Sequence, residues 1–371
     1  MDVFKVADIL VEDVKAKYGN EIAIVAFYGS YARGTATERS DLDFFFIPDC
    51  AEGMKASFQF VLEGIGFDFW PINWERAERM ASFQDGKVAV IADSKVLYAR
   101  SDADLERFNR LKDQTAAMCQ PDNRATMLDQ ALSCLKDGYV HLHTMQLAGP
   151  EQDLAATRMD ACKVATAALQ GLALFNQTYF TTGWGQNMDQ VLALERKPEG
   201  LKVLLDCLMT SRSCAEVRRA CEQLMDQTRA LLVSEQALLA RARTYSDVFT
   251  GFYEEAKGLF NKIVTACERN DTATAFFASL HLQDEICVVL TLAEDGVECS
   301  DLNTYGDCRK AYDSLGLPDL AGILEAGKLD VLKDAVMALD KKMRRLLETR
   351  GVRLNLFDTL DEFESFVRNK M

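Results

Sequence analysis

The sequence predicts an α+β fold, a mixed sheet flanked by helices, followed by an all-α region. Over the first hundred residues, short strand-forming runs alternate with helical patterns. Beyond about residue 102, apolar residues recur at spacings of three and four, and β-forming runs almost disappear. At 371 residues the chain is also long enough to form two or three hydrophobic cores.

The elements of the α+β part follow from periodicity and from the enrichment of aromatic and β-branched residues in strands. In chain order we predict a helix over residues 3–17, strands over 22–28 and 42–47, a helix over 54–63, a strand over 66–72, a helix over 74–83 and an extended run over 88–98. The rest of the chain is predicted to be a helical array with turns at 197–200 and 316–318.

Domain boundaries are predicted where these patterns change. We expect an α+β domain over residues 1–100, a helical domain over 101–243 and a further helical region over 244–371. No internal repeat interrupts this order.

The net charge of −15 disfavours a protein that holds a nucleic-acid backbone by bulk electrostatics. The longest apolar runs have the length of strands, so we expect no membrane span. The N-terminal segment has the pattern of an amphipathic helix and lacks the features of a signal peptide, which predicts a cytoplasmic protein.

The 11 cysteines are scattered and form no C-x-x-C pair, so neither a zinc site nor a disulfide framework is expected. Two of the 3 histidines, His141 and His143, lie two apart in a predicted helix and point in different directions. We expect them to be structural.

Two acids stand in a strongly β-forming stretch. Asp41 and Asp43 are two apart, so their side chains project from the same face and can share a divalent cation, for which magnesium is the natural candidate. Upstream, Gly29 and Ser30 follow a strand and precede a helical turn, where backbone N–H groups and a hydroxyl can face a phosphate. Gly34 would let this turn approach a ligand closely.

Three motifs in this order resemble the signature of the nucleotidyltransferase superfamily that includes DNA polymerase β, in its small-molecule and aminoglycoside-modifying branch. They are Gly-Ser at 29–30, Ala-Arg-Gly at 32–34 and Ser-Asp-Leu-Asp at 40–43. The resemblance implies that residues 1–100 form the catalytic domain and that the helical domain covers the active site.

The same resemblance implies roles for the site residues. Two Mg²⁺ ions would be held by Asp41, Asp43 and a third carboxylate, for which Asp68 is favoured over Glu63 and Glu75. The nucleotide would be contacted by Gly29, Ser30, Arg33, Gly34 and Ser40, although Arg33 is equally compatible with a surface position.

The implied function is transfer of a nucleoside monophosphate, AMP from ATP first among the candidates, to a hydroxyl of a small molecule, with an antibiotic as one possibility. Alternatives are a protein-directed adenylyltransferase and a nucleotide-binding regulator without turnover. The region after residue 244 is a candidate for covering the site, for forming a homodimer or for recognising the acceptor.

The resemblance leaves several residues of the helical domain as unranked candidates. The candidates for the acid that takes the proton of the acceptor hydroxyl are Asp129, Asp153 and Asp160. A pocket for a base or a sugar is sought among the aromatic residues that follow an apolar helix; these are Tyr179, Phe180 and Trp184, with Lys163 and Asn176 on the helix itself.

Overall fold

The computed structural model of the protein describes residues 2–147, 153–183, 185–241, 243–325 and 327–369. The chain divides into two compact units, residues 1–232 and 233–371. The first unit contains a five-stranded sheet and long helices, and the second unit is helical in its described residues. The predicted fold class, an α+β part followed by a helical part, is confirmed.

The strands are β1 (Ile22–Tyr28), β2 (Asp43–Pro48), β3 (Phe58–Leu62), β4 (Ile65–Pro71) and β5 (Lys95–Ala99). Their order across the sheet is β3-β4-β2-β1-β5. Strand β1 runs antiparallel to β2 and β5, β3 runs antiparallel to β4, and β2 and β4 are parallel. The parallel pair places the N-terminal end of β2 beside the middle of β4.

The helices that lie in the first unit are α1 (Val3–Lys17), α2 (Gly29–Arg33), α3 (Trp74–Ala81), α4 (Val88–Ala92), α5 (Asp102–Met118), α6 (Arg124–Leu147), α7 (Leu154–Phe175), α8 (Met188–Ala193) and α9 (Leu201–Thr210). The boundary between the units falls within α10 (Cys214–Leu239). Short 3-10 turns occupy Gly53–Ala56 and Pro121–Asn123.

The sheet has an apolar core on each face because side chains alternate along every strand. One core packs Val25, Phe44 and Phe69 against α1. The other packs Ile24 and Phe45 against α3, α4 and α5. Since Asp43 is two residues before Phe45 in β2, its side chain belongs to the second face.

Two sequence predictions are wrong. Residues 54–63 do not form a helix; they form a 3-10 turn and β3, which pairs with β4 through Glu63 and Gly64, whose φ angles are 51° and 81°. Positive φ at both residues of a two-residue loop is the geometry of a tight hairpin. Residues 88–98 contain the short helix α4 before β5, since a short apolar run fits a buried helix as well as a strand.

The second unit is built from α11 (Tyr245–Phe249), α12 (Phe252–Glu268), α13 (Thr272–Glu294), α14 (Tyr305–Cys308), α15 (Lys310–Ser314), α16 (Leu320–Ile323), α17 (Leu329–Thr349) and α18 (Leu360–Asn369). Its core joins α12, α13 and α17 around large buried side chains such as Phe260 and Tyr312. Cys299 and Cys308 form a disulfide, which was not predicted, and the other nine cysteines are free.

Helix α13 is the one helix in the described part of the chain that is long and apolar enough to cross a membrane by length and composition, with a mean hydropathy of 1.4 in its most apolar window. Half of that window is buried inside the protein. Such burial is the pattern of a core helix.

Candidate functional site

The three predicted carboxylates lie at the join of β1, β2 and β4. Tyr28, the last residue of β1, pairs with Asp43, the first residue of β2. Phe44 pairs with Phe69 in the parallel β2–β4 pair, so Asp43 and Asp68, each one residue earlier, occupy neighbouring positions. The register therefore brings together acids that are 25 residues apart in sequence.

Gly29 is required by the position of Asp43. Its φ is 77°, a conformation that residues with a Cβ rarely adopt, and a Cβ added there would overlap the Asp43 Oδ2 atom. The turn from β1 into α2 thus presses its backbone directly against the carboxylate. The predicted Gly-Ser turn and the predicted acidic strand form one site.

Asp41 and Asp43 are half-buried without a strong counter-charge. The pKa of Asp43 is raised to about 6, first by loss of solvation and then by the Asp41 carboxylate, and only the Arg33 charge opposes this. Burial raises the pKa of Asp41 as well, and the Asp68 carboxylate contributes. Burial also raises the pKa of Tyr28, with contributions from all three acids. These groups share one electrostatic environment.

Two predicted phosphate ligands have free polar groups. The Nε atom of Arg33 is buried and has no hydrogen-bond partner. The hydroxyl of Ser30 makes no hydrogen bond in the described residues, while its carbonyl accepts from the Thr35 N–H at 2.9 Å. An unsatisfied buried donor costs free energy, so this Nε–H is available to a ligand.

Two other predicted residues shape the loop around the site. Gly34 ends α2 with φ of 75° and donates its N–H to the carbonyls of Ser30 and Tyr31. Its left-handed conformation explains the glycine without a ligand. The Ser40 hydroxyl accepts a hydrogen bond from the Thr37 N–H at 2.9 Å, which holds the loop that leads into Asp41.

Asp68 is the most exposed of the three acids. It accepts a hydrogen bond from Gln59 Nε2 at 2.8 Å, across the β3–β4 pair. The two alternatives to Asp68 lie elsewhere: Glu63 is in the hairpin turn, and Glu75 is in the first turn of α3. The structure therefore places Asp68, and neither glutamate, beside Asp43.

The donor set fits a hard divalent cation. Carboxylate oxygens are the ligands that Mg²⁺ prefers, and these acids repel one another in a site where the one nearby positive charge acting on Asp43 is Arg33. Within the described residues, no three His, Cys, Asp or Glu side chains converge closely enough to form a complete metal cage. Asp41, Asp43 and Asp68 are thus neighbours in register and charge, not a preformed cage.

A cavity of about 230 Å³ lies between α6 and α7 in the same unit. Its polar walls are Cys134, Asp137 and His141 from α6 and Lys163, Thr166 and Gln170 from α7. The sequence analysis did not place Asp137 and His141 in a cavity. His141 is four residues after Asp137, and Cys134 is three residues before it. These spacings put all three on one helix face, which is the sequence signal that could have grouped them.

The three acids predicted as acceptor contacts have other surroundings. Asp153 caps α7 by accepting from the Ala156 N–H at 2.8 Å. Asp160 faces His141 Nδ1 at 3.5 Å, and Asp129 does not line the cavity. Asp137 is the acid that lines the cavity.

The segment after α7 joins parts of the first unit. Asn176 bonds to the backbone of Arg196 through both its Oδ1 (2.9 Å) and its Nδ2 (2.7 Å). The Tyr179 hydroxyl donates to Asp93 Oδ1 at 3.0 Å, and its ring packs against Phe83. Asn176 and Tyr179 therefore hold the fold together, while Trp184 lies outside the described residues.

Comparison with known proteins gives two family matches. Residues 7–76 match the nucleotidyltransferase domain, and residues 105–237 match the KNTase C-terminal domain. None of the curated proteins is significantly similar.

Among solved structures, the chain is similar to a nucleotidyltransferase-like protein from Exiguobacterium sibiricum, with 14% identity and a TM-score of 0.34. That similarity covers 62% of this chain and 76% of the other. The first family match covers the acidic site of β1, α2 and β2, and the second covers the α6–α7 cavity. The chain therefore belongs to the nucleotidyltransferases: it is an enzyme with a nucleotidyltransferase domain followed by a KNTase C-terminal domain.

Proposed function

We propose that the protein transfers a nucleoside monophosphate from a nucleoside triphosphate, ATP first among the candidates, to a hydroxyl of a small molecule. One observation carries the proposal: Asp41 and Asp43 are half-buried beside the Gly29–Ser30 turn, where the Asp41 carboxylate raises the pKa of Asp43 and the Asp68 carboxylate raises that of Asp41. Half-buried acids without ion pairs are costly to fold around, which supports a functional role.

Asp41, Asp43 and Asp68 would hold two Mg²⁺ ions. When bound, such ions lower the pKa of an attacking hydroxyl and neutralise charge on the pyrophosphate that leaves. Arg33 and Ser30 donate hydrogen bonds to the phosphates, since both have free donors at the site.

In the reaction, the acceptor oxygen forms a bond to the α-phosphorus while the bond from that phosphorus to pyrophosphate breaks. The proton of the acceptor hydroxyl goes to a carboxylate, and we assign this role to Asp137, the acid that lines the α6–α7 cavity. Action on an antibiotic and a cytoplasmic location belong to the same proposal; nine of the 11 cysteines form no disulfide, as is usual in a reducing compartment, although Cys299 and Cys308 do form one.

The test incubates the full chain with Mg²⁺ and each α-labelled nucleoside triphosphate, with a panel of hydroxyl-bearing small molecules, and follows pyrophosphate and label. We expect label on a small molecule together with stoichiometric pyrophosphate. Asp8→Asn, which changes an exposed acid on α1, is the matched control for Asp43→Asn. Label on protein, or nucleotide binding without release of pyrophosphate, would contradict the proposal.

A further inference from the structure

The α6–α7 cavity presents charges of both signs. Asp137 and Lys163 line it, and neither has an ion-pair or hydrogen-bond partner within the described residues. His141, by contrast, faces Asp160 at 3.5 Å. Burial, followed by the Asp137 charge, raises the pKa of Cys134 to about 11, so this thiol stays neutral. Lys163 is therefore the free positive charge of the cavity.

A short series of contacts leads from the cavity toward the acidic site. Gln170, at one end of the cavity, packs so closely on Gly86 that a Cβ there would overlap its amide. The next residue, Lys87, places its ammonium 5.1 Å from the centre of the Trp70 ring. Trp70 is two residues after Asp68 on the same face of β4.

Lys163 lies at the end of the cavity away from that contact. Seven residues of helix separate it from Gln170, which corresponds to about 10 Å along the axis. Asp137 lies between Lys163 and Gln170 along the helix axis. Its neighbour Gly138 is opposite Ala167, since a Cβ added at Gly138 would be 3.3 Å from the Ala167 Cβ. From the sheet outward, the order is Gln170, Asp137, Lys163.

We propose that this cavity is the acceptor subsite and that Lys163 selects acceptors carrying an anionic group, a carboxylate or a phosphate, beyond the hydroxyl that receives the nucleotide. The inference rests on the proposed function and narrows its substrate class. With the reacting hydroxyl at Asp137, the charge left to recognise the remainder of the acceptor is positive. A purely cationic acceptor would be repelled by the Lys163 ammonium and would have no anionic group to bind it.

The test compares four related probes: glucose, glucosamine, glucuronate and glucose 6-phosphate. Binding to the full chain is followed by ligand-observed NMR, and nucleotidyl transfer is followed with labelled triphosphate and Mg²⁺. Lys163→Met removes the charge, Lys163→Glu reverses it, and Lys5→Met is the matched control on exposed α1 surface. Lys163 is itself exposed, so its variants are expected to fold.

We expect glucuronate or glucose 6-phosphate to bind at least tenfold more tightly than glucose, and this preference to vanish in Lys163→Met but not in Lys5→Met. The two anionic probes separate carboxylate from phosphate recognition. In Lys163→Glu the preference should move to glucosamine. The KM for the triphosphate should stay unchanged in every variant.

Two results would overturn the inference: equal binding of all four probes by the wild-type chain, or a rise in the KM for the triphosphate as the main effect of Lys163→Met. Selective, Lys163-dependent binding of an anionic probe without any transfer would support the subsite and contradict the proposed function instead. The two proposals therefore fail in different measurements.

Discussion

Two partly buried carboxylates, Asp43 in the first unit and Asp319 in the second, have opposite surroundings. Asp319 accepts hydrogen bonds from Gln283 Nε2 at 2.9 Å and Arg309 Nη2 at 3.0 Å. These contacts, the Gln283 bond first, hold the pKa of Asp319 below its usual value. Asp43 has no ion-pair partner in the described residues, and its pKa is raised to about 6.

The difference separates an acid whose charge is compensated from one whose charge is not. Asp319 stabilises the fold because its charge is compensated by its neighbours. Asp43 is fixed by its pairing with Tyr28 in the β1–β2 register although its charge is not compensated, which destabilises the isolated protein. A cation or substrate that supplies the missing charge would bind there selectively.

Among the variants that test this difference between the two acids, Asp43→Asn should have the largest effect, a loss of nucleotidyl transfer. Asparagine keeps the shape but loses the charge that would hold a cation, so transfer should fall by about a thousandfold or more. Steady-state label transfer measures this, with circular dichroism to check the fold. Wild-type activity in Asp43→Asn would remove Asp43 from the site.

Gly29→Ala should have the next largest effect. The added methyl would overlap the Asp43 carboxylate, and alanine is strained at φ of 77°. Transfer should fall by about a hundredfold, with a loss of about 1–2 kcal/mol in the free energy of unfolding. Gly34→Ala is the control, because it has a similar φ of 75° but open space around its Cβ. Equal activities of the two variants would contradict the close contact.

The pH dependence of stability should distinguish Asp43 from its asparagine variant. Because the folded pKa of Asp43, about 6, lies above its ordinary value of 3.8, this contribution to stability is complete below pH 3.8 and is lost progressively as the pH rises to 6. In metal-free buffer at pH 8, Asp43→Asn should therefore be more stable than wild type by roughly 2 kcal/mol.

Thermal unfolding at pH 3.5, pH 5 and pH 8, with and without Mg²⁺, measures the effect. The difference should be small at pH 3.5, below the unfolded pKa, and intermediate at pH 5. Mg²⁺ should reduce it at pH 8 by stabilising the wild type alone. If the stability difference between Asp43→Asn and wild type did not depend on pH, the pKa of Asp43 would not be raised in the folded protein.

The smallest effect should come from the partnered acid. Asp319→Ala removes the N-cap of α16 and its pair with Arg309, which should lower the free energy of unfolding by about 1–2 kcal/mol. Denaturant titration gives this value. The kcat for transfer should be unchanged below the unfolding transition. A loss of kcat as large as that of Asp43→Asn would contradict the distinction between the two acids.

The sequence by itself determined most of the sheet and the identity of its acidic motif. The predicted limits of α1 and β1 agree with the structure, since strong periodicity and aromatic enrichment are local signals. The placement of Asp41 and Asp43 after a Gly-Ser turn was also readable, because a pair of acids in a β-forming run has few structural explanations.

Only the tertiary structure decided which distant residues meet that motif. The pairing of β2 with β4 placed Asp68 beside Asp43, and the packing of α6 on α7 placed Asp137 and Lys163 in the walls of one cavity. The β3–β4 hairpin was missed for the same reason: a short apolar run becomes a strand or a helix according to the partner it finds. Strand pairing and helix packing are long-range contacts, and local periodicity carries no information about them.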